Sequence, residues 1–159
     1  MKTSVRFKLR MTSGHFFRVW VFNTREDMYK WYLKYLKENH LWASEAHSFR
    51  DDKGVVPLDF LAIVMPYEVV SVEGNLSADN NDIGIALFNR DSLGAGLIAH
   101  EMTHCALWYD RLVNKNLNAE YGGCGSESEE RLAYSIGELM TFFVNKCYKL
   151  NLFCNANAC

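Results

Sequence analysis

The stretch "GLIAHEMTHCALWYD", residues 96–110, decides the fold, because its pattern fits only a helix taken into the interior. Leu97, Ile98, Ala99, Met102, Cys105, Ala106, Leu107, Trp108 and Tyr109 leave little room for a polar face. A helix apolar on nearly all sides belongs in a core. Yet His100, Glu101 and His104 stand in its middle. Burying such groups without partners is costly, so the pattern predicts that something satisfies them.

The segments around this helix predict a sheet that it can cover. "SVRFKLRM", residues 4–11, alternates apolar Val5, Phe7, Leu9 and Met11 with Ser4, Arg6, Lys8 and Arg10. That period of two predicts a half-buried strand. "TSGH" is a turn signal, and residues 15–22 predict a second strand of the same hairpin. Thr24 and Asp27 open an amphipathic helix over 25–38, with Met28, Trp31, Tyr32, Tyr35 and Leu36 on its core face. Residues 60–70 predict a strand broken near Pro66, and "IGIALFN", residues 83–89, predicts another. Gly84 and Ala86 are small and share a face, which allows another backbone or helix to approach closely, as in an interior strand under close helix packing. "RDS", residues 90–92, is expected to cap the decisive helix. A loop over about 112–126 then leads to a last helix over about 128–150. The expected order is β-β-α-β-β-α-α, an α+β domain over 1–150 with a polar tail over 151–159.

Composition excludes several functions. The chain has 159 residues, 49% hydrophobic and 23% charged, which suits one soluble globular domain. The formal net charge is −2, so there is no global attraction to polyanions. The first 24 residues differ, with Lys2, Arg6, Lys8, Arg10, Arg18 and no acid. No aromatic platform or known motif accompanies this ridge in the sequence, so it is expected to be a solvated face, without nucleic acid as a partner. No apolar run nears the ~20 residues of a membrane span, and no secretory signal is visible. The five cysteines are an odd number with no compact framework, and reduced thiols in a cytoplasmic protein are expected.

His100-Glu101-Met102-Thr103-His104 is an H-E-x-x-H motif. Four residues along a helix turn by about 40°, so both imidazoles project together, one turn apart. Two such nitrogens can share one tetrahedral Zn²⁺. Glu101 points about a quarter turn away and can act on a water as general base without being a ligand. A catalytic zinc ordinarily takes three protein ligands and a water. A carboxylate from "SESEERLAYSIGEL", residues 126–139, is the natural third, with Glu127, Glu129, Glu130 and Glu138 as candidates. Acids at a helix start also favour its dipole, which accounts for most of them.

With its downstream glutamate, the motif resembles the zincin metallopeptidases that use a glutamate ligand. It is most similar to small intracellular and phage-encoded members of the ImmA/IrrE kind, over roughly residues 60–145. Glu130-Arg131-Leu132-Ala133 matches their E-x-x-A pattern, which implies Glu130 as third ligand and a small Ala133 that lets the two helices approach. The resemblance implies a minimal zincin-like fold: a small, mostly antiparallel sheet packed on the motif helix and a glutamate-bearing C-terminal helix, with "IGIALFN" as an edge strand bordering the cleft. It also implies a zinc-dependent peptidase acting on a peptide or protein substrate, with Glu101 as general base. The oxyanion donor expected is Tyr134, with Tyr109 and Tyr121 as alternatives. A zinc-binding regulatory or interaction module with little turnover is the other reading. Closure of the fourth position by a thiol such as Cys124 would favour it, because closed sites are structural.

Overall fold

A computed structural model of the chain describes residues 3–38, 61–66, 81–113 and 127–153. Four strands and three long helices follow one another as β1 (Thr3–Arg10), β2 (Phe16–Phe22), α1 (Arg25–Glu38), β3 (Ala62–Pro66), β4 (Asp82–Asn89), α2 (Ala95–Val113) and α3 (Glu127–Lys149). The expected α+β class and element order hold for these residues.

The sheet order is β1-β2-β4-β3. β1 and β2 are antiparallel, as are β3 and β4, while β2 and β4 run parallel. The sheet is therefore mixed. It has helices on both faces. α1 packs on β2 and β4 from one side. There Met28, Tyr32 and Leu36 meet Phe22, Ile85 and Leu87. On the other side α2 lies over β3 and β4, and α3 over β1. Leu9, Val19, Val21, Ala86 and Phe88 meet Ile98, Met102, Cys105, Leu139 and Phe143 there. Two-sided burial explains why β4 is buried continuously from Ile83 to Asn89 instead of alternating.

This corrects the place expected for "IGIALFN". β4 is an interior strand, paired on both sides, and the strand flanking it on the α2 side is β3. Gly84 and Ala86 are both buried in a strand paired on both sides, and neither lies at an edge. "RDS" is also different from expectation. Arg90–Ser92 form a single 3₁₀ turn of their own, capped by the Asn89 side chain, and α2 begins at Ala95. Thr24 does cap α1, its hydroxyl accepting from the Asp27 amide at 3.1 Å.

α3 ends in a left-handed residue, Asn151, at φ 52°. Leu152 N–H donates to the Cys147 carbonyl and Asn151 N–H to that of Tyr148, the paired bonds of a Schellman stop. Leu152 then turns back into the core, and the Arg90 guanidinium donates to the Asn151 carbonyl. Packed structure thus continues past the helix end into the first residues of the segment expected to be a polar tail.

Candidate functional site

α2 is not buried on all sides. At about 100° per residue, Ile98, Met102, Cys105 and Ala106 form one inward arc, and all four are fully buried. His100 and His104 project from the opposite side and are exposed. Two acids close the flanks of the inward arc. Glu101 is 6% exposed and Asp110 is 1% exposed. Nine residues separate them, which is about 180° of rotation. The imidazoles are therefore met by each other and by water, and the carboxylates are the groups that go inside.

The two ring Nε2 atoms are 3.1 Å apart, with the rings edge to face. Nitrogens sharing one tetrahedral zinc stand about 3.4 Å apart, given Zn–N bonds of about 2.0–2.1 Å. The pair thus fits one edge of such a coordination shell. His100 Nε2 is 4.0 Å from a Glu101 carboxylate oxygen. Burial raises the Glu101 pKa above the ordinary glutamate range, and the nearby His100 partly opposes this. Burial lowers the His104 pKa, and the charge of a protonated His100 lowers it further. The shifts favour an uncharged His104 imidazole and a Glu101 carboxyl group that holds its proton more tightly than usual.

Asp110 marks where α3 meets α2. Arg131 of α3 lies 3.8 Å from its carboxylate, and 3.6 Å from Glu127 of its own helix. The first turns of α3 are thereby tied to the last turns of α2. Asp110 is six residues beyond His104 and ten beyond His100, or about 9 Å and 15 Å along the axis. Glu130 is in those first turns and exposed, and Ala133, expected to press on α2, is exposed too. Tyr134 is 75% exposed. Glu138 accepts a hydrogen bond from the Thr12 amide at 2.7 Å, at the β1–β2 turn. Tyr109 is half-buried with its ring edge against His15. Tyr121 and Cys124 fall outside the described residues.

Among the described residues, no three His, Cys, Asp or Glu side chains come together in a way that could hold a metal ion. No family model, curated protein or solved structure matches the chain. The likeness to the glutamate-ligand zincins is corrected accordingly. Its distinguishing feature was Glu130 beside the two histidines, and α3 meets α2 at the wrong height to seat it there.

Cys105 contributes no ligand either. It lies on the inward arc, where burial and Glu101 push its thiol well up, away from the thiolate that metals require. Cys147, also buried, is pushed up to about 12.

Sequence reasoning missed two features. One is Asp110, whose signal was an acid placed among apolar neighbours on a helix. The other is a set of cations around β1. The hairpin register sets Arg6 opposite Trp20 and Arg10 opposite Phe16. Their guanidinium groups sit over those rings at 4.3 and 5.1 Å, and Lys8 Nζ sits over Phe16 at 4.1 Å. The aromatic platform absent from the β1 sequence is supplied by β2.

Proposed function

We propose that His100 and His104 hold a divalent transition metal, zinc by preference, and that the site hydrolyses amide bonds of a peptide with Glu101 as general base. The observation that carries this reading is the geometry of three groups on one helix: two Nε2 atoms 3.1 Å apart, with a buried carboxylate 4.0 Å from one of them. Neutral imidazole suits zinc and other borderline metals. The cation would supply Lewis acidity and acidify a water at the site.

The chain's own residues supply the remaining steps. His100 and His104 fix the position of the cation from the exposed side of α2. Glu101 takes a proton from the attacking water and delivers it to the leaving amine. Its raised pKa suits both halves of that transfer, because a carboxylate of higher basicity accepts the proton and the acid later releases it.

The Glu101 flank of α2 faces away from Asp110, and so away from α3. α2 covers β3 and β4, which leaves that flank toward the β3 side of the sheet. No described strand pairs with the outer side of β3. An extended peptide added there would run past the three groups, held through its main chain. Two imidazoles are one short of the usual three protein ligands of a catalytic zinc. Metal binding in this reading is loose, and the ion is lost on dialysis.

The test is a cleavage screen on a denatured peptide library with added zinc, reading new amino termini. Wild type generates them, and Glu101→Gln and chelator-treated protein do not. Cleavage by Glu101→Gln equal to wild type, or none by wild type, overturns the reading.

A further inference from the structure

The edge of the sheet away from the histidines is β1, and no described strand pairs with its outer side. From Val5 to Arg10 its pairing with β2 is regular, with no bulge and no proline. At the turn, Met11 N–H donates to the His15 carbonyl at 2.8 Å. In an antiparallel strand every second residue turns its main-chain groups to the partner. Val5, Phe7 and Leu9 therefore keep step with Met11 and turn theirs to β2. Arg6, Lys8 and Arg10 turn their N–H and C=O groups to the open edge.

The side chains of these residues divide between the two faces. Leu9 is buried on the α3 side, and Val5 and Phe7 beside it are half-buried. Arg6, Lys8 and Arg10 lie on the other face and are exposed. The Arg6 guanidinium sits over the Trp20 ring, and the Lys8 and Arg10 heads sit over Phe16. Both rings belong to β2, the inner neighbour, so the charged heads are drawn over the sheet and off the edge. An aromatic face orients a cation without cancelling its charge. Among the described residues, no carboxylate forms an ion pair with Lys8 or Arg10.

Charges on an edge strand ordinarily guard it against pairing. That account covers a second copy of β1, which would set cation against cation. It does not cover a strand with acids at the facing positions, because opposite charges directly across a pair stabilise it. The guard also leaves Val5 and Phe7 partly open to water, apolar surface that an added strand would cover.

We infer that β1 takes an extended polypeptide as an added strand, with acidic residues at every second position and apolar residues between them. The acids stand opposite Arg6, Lys8 and Arg10 in hydrogen-bonded pairs, and the apolar side chains cover Val5 and Phe7. Main-chain bonds supply affinity, and the alternation supplies specificity.

Fluorescence polarisation of the full chain with a fluorescein-labelled octapeptide alternating glutamate and valine tests this. Wild type binds the peptide, and binding weakens as salt rises. A peptide of the same composition with its glutamates in one block binds far more weakly. N-methylation of the glutamates abolishes binding, because their N–H groups donate to β1. N-methylation of the valines, whose N–H groups point away, does not. Lys8→Glu, at an exposed position, weakens binding roughly fivefold, and Lys8→Arg retains it. Circular dichroism melting checks the fold of both variants. Four results overturn the proposal: no binding by wild type at low salt, equal binding of the block peptide or of the peptide methylated on glutamate, undiminished binding by folded Lys8→Glu, or a wild-type dimer that the peptide dissociates, which would assign the edge to a second copy.

Discussion

The outward and inward sides of α2 both carry titratable groups and place them in opposite surroundings. His100 and His104 face water 3.1 Å apart, while Glu101 and Asp110 are buried on either flank of the apolar arc. Water satisfies whatever the outward side does not pair, so those groups are free to serve a ligand. The inward acids have no such freedom. Asp110 meets Arg131, and Glu101 responds to burial by a raised pKa. The phase of a residue on the helix thus decides how far water reaches it.

The sharpest break of this contrast is between Met102 and His100, two residues apart. Met102→Ala, at a fully buried position, is expected to cost about 2–5 kcal/mol. His100→Ala is expected to stay within about 0.5 kcal/mol, as exposed substitutions do. Urea unfolding of both variants checks the pair. Similar losses in the two would mean that α2 is buried on both sides after all.

A smaller effect separates the two acids. Asp110→Ala is expected to cost about 1–3 kcal/mol, the scale for disrupting a buried polar pair. Arg131→Ala should cost at least as much, because it takes this partner from the buried Asp110 carboxylate, whereas Asp110→Ala leaves an exposed Arg131 whose head is hydrated. The order of the two midpoints in urea decides whether Asp110 is the buried partner.

Glu101 should behave in the opposite sense. Its folded pKa is raised, so the folded state holds this proton more tightly than the unfolded chain does. Below the unfolded value, near 4.5, both states are protonated and nothing is lost. As pH rises through the raised folded value, the buried carboxylate ionises and stability falls. Glu101→Gln removes that loss. The variant should equal or exceed wild type in melting temperature at pH 7 and should lack the Glu101-dependent fall above pH 4.5. A variant markedly less stable than wild type at pH 7 would mean that the ionised carboxylate is stabilising.

Much of the fold was legible because it is written in local periods. The alternation of Val5, Phe7 and Leu9 is the core face of β1, and the Thr24–Asp27 cap starts α1 where expected. The 40° offset between His100 and His104 put them on one face, as the structure has it. What failed depends on tertiary placement. "IGIALFN" is apolar at nearly every position, the signature of burial on both faces, and the likeness to zincins misled by suggesting an edge. The apolar share of α2 hid a solvent-facing side, because Gly96, His100, His104 and Arg111 share an arc that counting residues does not reveal. The place of Glu130 depends on the height at which two helices cross. Its own E-x-x-A spacing says nothing about that, and the Asp110–Arg131 contact sets it. The cations of β1 over Trp20 and Phe16 depended on register as well, since cations and rings come from two separate strands.

Isothermal calorimetry of zinc binding, at pH 7.5 and again at pH 5.5, tests the central claim most directly. The account predicts one ion per wild-type chain, binding reversibly at pH 7.5 and far more weakly at pH 5.5, where protonated imidazole cannot ligate. His100→Ala and His104→Ala should each abolish that binding while melting close to wild type without metal, and Glu101→Gln should retain it. Zinc binding that survives the loss of both histidines, or none in the wild type, would contradict it.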